Sequence, residues 1–110
     1  MRTLDNKYVF HIPLCKYEND QLTPLEIDGL LKELTDEFEA NGFDGMYMTN
    51  VKACYNGRIY DELLITLFTT EDKSPEEIFE KWFRKNNEIL RQDEFAYEKG
   101  NTMTIVRLIL

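Results

Sequence analysis

The chain has 110 residues, with 13 basic against 21 acidic side chains for a formal net charge of −8, and 43% of it is hydrophobic. That composition describes one acidic globular domain spanning 1–110 with enough apolar volume for a core, and it lies outside the disordered class. It opposes direct nucleic-acid binding, which needs a basic stripe; no apolar run approaches a membrane span; and the polar first ten residues lack a signal-peptide pattern, so the expected location is the cytoplasm.

In chain order, Tyr8, Phe10, Ile12 and Leu14 alternate with Val9, His11, Pro13 and Cys15. This period of two predicts a first strand with the more apolar set facing the core. Thr23-Pro24-Leu25-Glu26 has the spacing of a capping box with Pro at the first helical position, and Leu22 could staple onto Ile27. Ile27, Leu30, Leu31, Leu34 and Phe38 share one helical face, and Asn41-Gly42 supplies a stop, so a helix is expected over 24–41.

Asn56-Gly57 separates two strand-like runs, 46–55 and 58–69, and is the signature of a two-residue hairpin turn. Pairing Tyr55 with Arg58 puts Lys52 opposite Asp61. It gathers Met46, Met48, Leu63, Ile65 and Leu67 on one face and Tyr47, Val51, Tyr55, Tyr60, Glu62 and Leu64 on the other. Ser74-Pro75-Glu76-Glu77 then opens a second helix over 75–91, with Ile78, Phe79, Trp82, Phe83, Ile89 and Leu90 as its apolar stripe. Finally, 95–98 and 102–110 flank the turn Lys99-Gly100-Asn101. The longer segment is expected in the main sheet, with Thr104, Val106, Leu108 and Leu110 inward and Met103, Ile105, Arg107 and Ile109 outward.

The order strand, helix, strand, strand, helix, strand resembles that of small ferredoxin-like domains. It implies an α+β, βαββαβ sandwich with two helices on one face of an antiparallel sheet and room for an extra short strand near the C-terminus. Such a fold hosts many functions and names none.

Candidate chemistry collects on the sheet face that the helices leave open. There His11 and Glu62 could act as a proton-transfer pair while Arg107 holds a carboxylate or enolate; an exposed antiparallel face also carries such residues with no catalytic role. Tyr47, Val51, Tyr55, Tyr60 and Leu64 on that face form an apolar patch suited to a ligand or to a two-fold interface, so a homodimer is expected.

Asn86 interrupts the apolar stripe of the second helix and needs a hydrogen-bond partner there. The first helix concentrates acid in Glu26, Asp28, Glu33, Asp36, Glu37 and Glu39, either as a solvated face or as a docking surface for a basic protein. Glu18-Asn19-Asp20 and Glu71-Asp72 are expected as exposed loop tips. Cys15 and Cys54 lack zinc spacing and should not be bridged; with one histidine, His11, no multi-histidine metal site forms. Phosphate loops and nucleophile elbows are absent, so no metal or cofactor is expected.

Three classes of function follow from these residues. The first is a non-catalytic dimerising module that binds a protein partner or small metabolite. The second is a small cofactor-free enzyme acting on a carbonyl or carboxylate compound through the open face, and the third is an acidic inhibitor of a basic protein.

Overall fold

The structure, a computed structural model, describes residues 1–108. Its elements are β1 (Asn6–Pro13), β2 (Cys15–Glu18), β3 (Gln21–Pro24), α1 (Asp28–Ala40), β4 (Gly45–Tyr55), β5 (Arg58–Thr69), α2 (Pro75–Leu90), β6 (Glu94–Lys99) and β7 (Thr102–Arg107). Five strands form one sheet in the order β4-β5-β1-β6-β7, and β2 and β3 form a separate two-stranded ribbon. All pairings are antiparallel. Setting the ribbon and the edge strand β7 aside, the architecture is the ferredoxin-like sandwich, with two helices packed on one face of the sheet.

Alternation in the strands builds the core. Tyr8, Phe10 and Ile12 on the central strand are fully buried, as are Ile65 and Leu67 on β5. From above, Leu34 and Phe38 of α1 and Phe79, Phe83 and Leu90 of α2 close over them. The rings interlock, with Phe10 centred 5.3 Å from Phe38 and 4.7 Å from Phe79, while Phe83 stacks on Phe95 at 5.2 Å. Such offset and edge arrangements add to the gain from area burial. Trp82 keeps its indole N–H satisfied by donating to the Leu30 carbonyl at 2.8 Å, which ties the two helices together. Of the two stripes, Leu30 and Leu31 are half-buried and Ile89 is exposed.

The Asn56-Gly57 hairpin forms as expected: both residues have positive φ, and the ladder pairs Tyr55 with Arg58 and Lys52 with Asp61. A mirror-image turn of this kind matches the right-handed twist of the strands it joins. Asn86 is buried, and its side-chain amide donates to the Trp82 carbonyl at 2.9 Å and to Glu33 Oε1 at 3.3 Å.

Three boundaries differ from the sequence expectation. The first helix begins at Asp28 rather than 24, with no side-chain cap, because Thr23 and Pro24 belong to β3 and pair with Lys16 and Cys15. Asn19 and Asp20, expected as a plain loop tip, both take positive φ and form a second hairpin turn. This local pairing outcompetes the capping box; Leu22, left 41% exposed, does not act as a staple. The first strand accordingly ends at Pro13, and Cys15 starts the ribbon. At the C-terminus, the shorter segment occupies the main sheet beside β1, and the longer one is added as the edge strand β7. Its phases hold, with Val106 and Leu108 against the core and Met103, Ile105 and Arg107 exposed; Leu110 and Ile109 lie outside the described residues.

Candidate functional site on the open sheet face

His11 stands at the middle of the central strand, pointing away from the helices. In the ladder of β1 with β5, His11 faces Leu64, so Glu62, opposite Pro13, is its diagonal neighbour on the same face. On the other flank Val9 faces Glu98 of β6, which makes Glu98 the second diagonal neighbour. Diagonal pairs lie within reach of long side chains. His11 Nδ1 and Glu62 Oε1 are 2.6 Å apart, and His11 Nε2 and Glu98 Oε2 are also 2.6 Å apart.

A neutral imidazole has one N–H and could satisfy only one of these contacts. An imidazolium satisfies both, donating each N–H to a carboxylate. Burial alone would lower the His11 pKa, but the bonds to Glu62 and Glu98 and their charge outweigh it and hold it above the ordinary histidine value. The side chains of His11 and Glu62 are only 18% and 15% exposed, and that of Glu98 34%. Because the two carboxylates sit on opposite edges of one ring, they do not converge on a common point. Among the described residues no group of three or more His, Cys, Asp and Glu side chains is placed to hold a metal ion.

Next to this row lies a cavity of about 660 Å³, within the range of small-molecule sites. Its shape follows from the length of the β4–β5 hairpin, which runs past the end of β1 and curls across the open face. The hairpin tip is anchored twice: the Tyr55 hydroxyl donates to Glu94 Oε1 on β6 at 2.6 Å, and the Arg58 guanidinium lies 4.4 Å above the Tyr17 ring of the β2–β3 ribbon. The segment after α2 closes a further side. There Gln92 Nε2 donates to the carbonyls of Cys15 and Leu90 at 3.1 and 2.7 Å, and Arg91 takes a left-handed backbone with φ 52°.

Glu62 borders the cavity with one oxygen committed to His11; its other oxygen accepts no side-chain hydrogen bond among the described residues. Burial, with added repulsion from Glu62, pushes the Tyr60 hydroxyl up in pKa, and burial with Asp61 and Glu62 does the same to the Cys15 thiol. Both groups therefore stay neutral hydrogen-bonding walls near neutral pH. Cys15 and Cys54 are free and both line the cavity.

Of the residues singled out from sequence, His11 and Glu62 are in contact, and Tyr55 and Tyr60 join them in the cavity wall. Arg107 lines the same cavity from β7, well away from the His11–Glu62 pair. Tyr47, Val51 and Leu64 lie on the open face outside the cavity wall. Glu98, Glu94, Arg58, Arg91 and Tyr17 were not anticipated. For Glu98 and Glu94 the signal was present in the period of β6, whose even positions share the face of His11. Tyr17 required recognition of the Asn19-Asp20 turn.

No protein-family model matches the chain, and no curated protein matches it. Among solved structures, a phage SAM lyase in complex with S-methyl-5′-thioadenosine has a similar fold, with a TM-score of 0.58 at 11% sequence identity, covering 97% of this chain and 95% of that one. At that identity the likeness concerns the fold. No helix among the described residues is long and apolar enough to cross a membrane.

Proposed function

We propose that this protein binds a small organic molecule in the cavity on the open sheet face and presents Glu62 to it as counter-ion or proton acceptor. His11 and Glu98 serve as positioning residues. The observation that carries this reading is the Glu98–His11–Glu62 row set against the wall of a ligand-sized cavity. With both ring nitrogens occupied, His11 has no free position for a substrate, which shifts the acid–base role expected of it to Glu62. With the ring protonated between two carboxylates the row carries one net negative charge, suited to a cationic centre or a mobile proton.

A fold of the same size holds S-methyl-5′-thioadenosine in the phage lyase, so nucleoside thioethers and the related sulfonium compounds are the first class to test. Tyr17, Tyr55 and Tyr60 in the cavity wall offer faces for a purine ring, and Glu62 offers the charge that a sulfonium centre needs. The two free thiols suit the cytoplasm. Titration calorimetry with S-methyl-5′-thioadenosine and S-adenosylmethionine tests binding, and chromatography of the incubated mixture tests turnover. Saturable binding that Glu62→Gln weakens supports the reading. Failure of both compounds to bind at millimolar concentration overturns this choice of ligand class.

A second reading concerns assembly. Tyr47 and Ile105 each remain 55% exposed and Met103 51%, all on the open face. A two-fold dimer across that face would bury them and roof the cavity.

A further inference from the structure

We infer that the cavity carries an anion subsite at its mouth, formed by Arg58, Arg91 and Arg107, and that its ligand therefore bears a carboxylate. This rests on the open face being a ligand site and names the ligand's chemistry more closely. The chain has five arginines. Arg2 and Arg84 are engaged, with Asp44 at 3.0 Å and Glu80 at 3.2 Å. The other three all line this one cavity, are exposed at its edge, and make no ion pair among the described residues. In a protein with 21 acidic side chains to 13 basic ones, three arginines without a carboxylate partner among the described residues, lining one cavity from β5, from the end of α2 and from β7, form an unusual concentration.

Besides Glu62, two acids, Asp93 and Glu94, line the same cavity, and neither pairs with these arginines among the described residues. Glu94 is the direct cross-strand partner of Arg107, yet its carboxylate accepts the Tyr55 hydroxyl. Arg107 is close enough for its positive charge to act on that same hydroxyl. Arg58 lies over the Tyr17 ring at 4.4 Å, a contact that restrains the guanidinium without using its N–H donors. Arg91 occupies a backbone conformation that side chains with a Cβ adopt rarely, directly after the last turn of α2. Guanidinium groups recognise planar carboxylates through paired N–H donors.

The placement also fixes polarity. Glu62 lies on β5 and Arg107 on β7, with β1 and β6 between them in the sheet, and both side chains line the cavity. The two strands are three strand spacings apart, about 14 Å. A ligand spanning the cavity can meet Glu62, whose second oxygen accepts no side-chain bond, at one end and the arginines, which make no ion pair among the described residues, at the other. That polarity fits a zwitterionic amino-acid conjugate, with its cationic centre toward Glu62 and its carboxylate toward the arginines, better than a neutral nucleoside.

The test compares S-adenosylmethionine with its decarboxylated analogue by titration calorimetry while the arginine Nε–H signals are followed by NMR. Arg2 and Arg84 are internal controls. The expected result is an affinity about tenfold or more higher for the carboxylate form, with saturable shifts at Arg58, Arg91 and Arg107 alone. The double variant Arg91→Gln/Arg107→Gln should erase the difference between the two compounds. Equal affinities with the three arginines unmoved overturn the subsite and leave the open-face reading standing. If neither nucleoside binds but glutamate shifts those three signals selectively, the nucleoside reading fails and the subsite is supported. Signals unmoved by both overturn the subsite, and a tighter response to inorganic phosphate than to glutamate overturns the carboxylate assignment.

Discussion

His11 is the sole histidine of the chain, so its Cε1–H resonance reports the state of the Glu98–His11–Glu62 row without ambiguity. Burial, the largest single influence on this ring, lowers its pKa; the bonds to Glu62 and Glu98 and their charge outweigh it and raise it above the ordinary value. Removing them stepwise should therefore reveal the opposition. In wild type the resonance should titrate above the reference value of about 6.5. Glu98→Gln and Glu62→Gln should each lower the midpoint, and the double variant should drop below the reference as burial prevails.

The same changes act on stability. A hydrogen bond to a charged partner contributes about 1.5–3 kcal/mol when buried. Glu62, well enclosed, should cost about 1–2 kcal/mol on conversion to Gln, whereas the more exposed Glu98, discounted for solvent screening, should cost about 0.5–1 kcal/mol. For a domain of this size that means a Tm lower by several degrees in each case. The sign with pH follows from linkage. Because the folded-state pKa is raised, the contribution is complete below the unfolded value near 6.5 and is lost as pH rises through the higher folded value. The difference in unfolding free energy between wild type and the double variant should accordingly be largest in mild acid and shrink toward alkaline pH. A wild-type midpoint at or below 6.5, or a midpoint indifferent to Glu98→Gln, would refute the imidazolium assignment.

Three further outcomes are expected. Phe83→Ala removes a ring packed between Phe79, Trp82 and Phe95 and should cost about 3–5 kcal/mol in denaturant unfolding; wild-type stability would mean the helix phase is wrong. Alkylation of the native protein followed by mass measurement should label both thiols, the exposed Cys54 faster than the half-buried Cys15, whose raised pKa keeps it protonated; a single label or none would point to a bridge. For the open-face dimer, sedimentation equilibrium at tens of micromolar should give twice the chain mass, weakened by Leu64→Arg; a monomer would sink the dimer, and an unchanged dimer in the variant would move the interface elsewhere.

The fold was legible in the sequence wherever one residue pattern had no local competitor. Asn56-Gly57 fixed the register of β4 with β5 because both positions accept positive φ at low cost, and the face assignments of Glu62 and Tyr60 followed from it. The start of α1 departs from the capping-box pattern for the converse reason. Thr23 and Pro24 satisfy a capping box and a strand end equally well, and the choice was made four residues upstream at Asn19 and Asp20. The site was partly legible for a related cause. Placing His11 beside Glu62 needs only two strand phases and one turn, all local signals. Placing Glu98 beside His11 requires knowing which C-terminal segment lies against β1, a choice settled by packing. Phe95 and Tyr97 settle it, the first buried in the core and the second packed against it, and that phase necessarily turns Glu94 and Glu98 outward. The carboxylate that completes the row thus follows from the aromatic alternation of β6, so the same apolar burial that seats this strand beside β1 also supplies one of the two charges that raise the pKa of the histidine next to it.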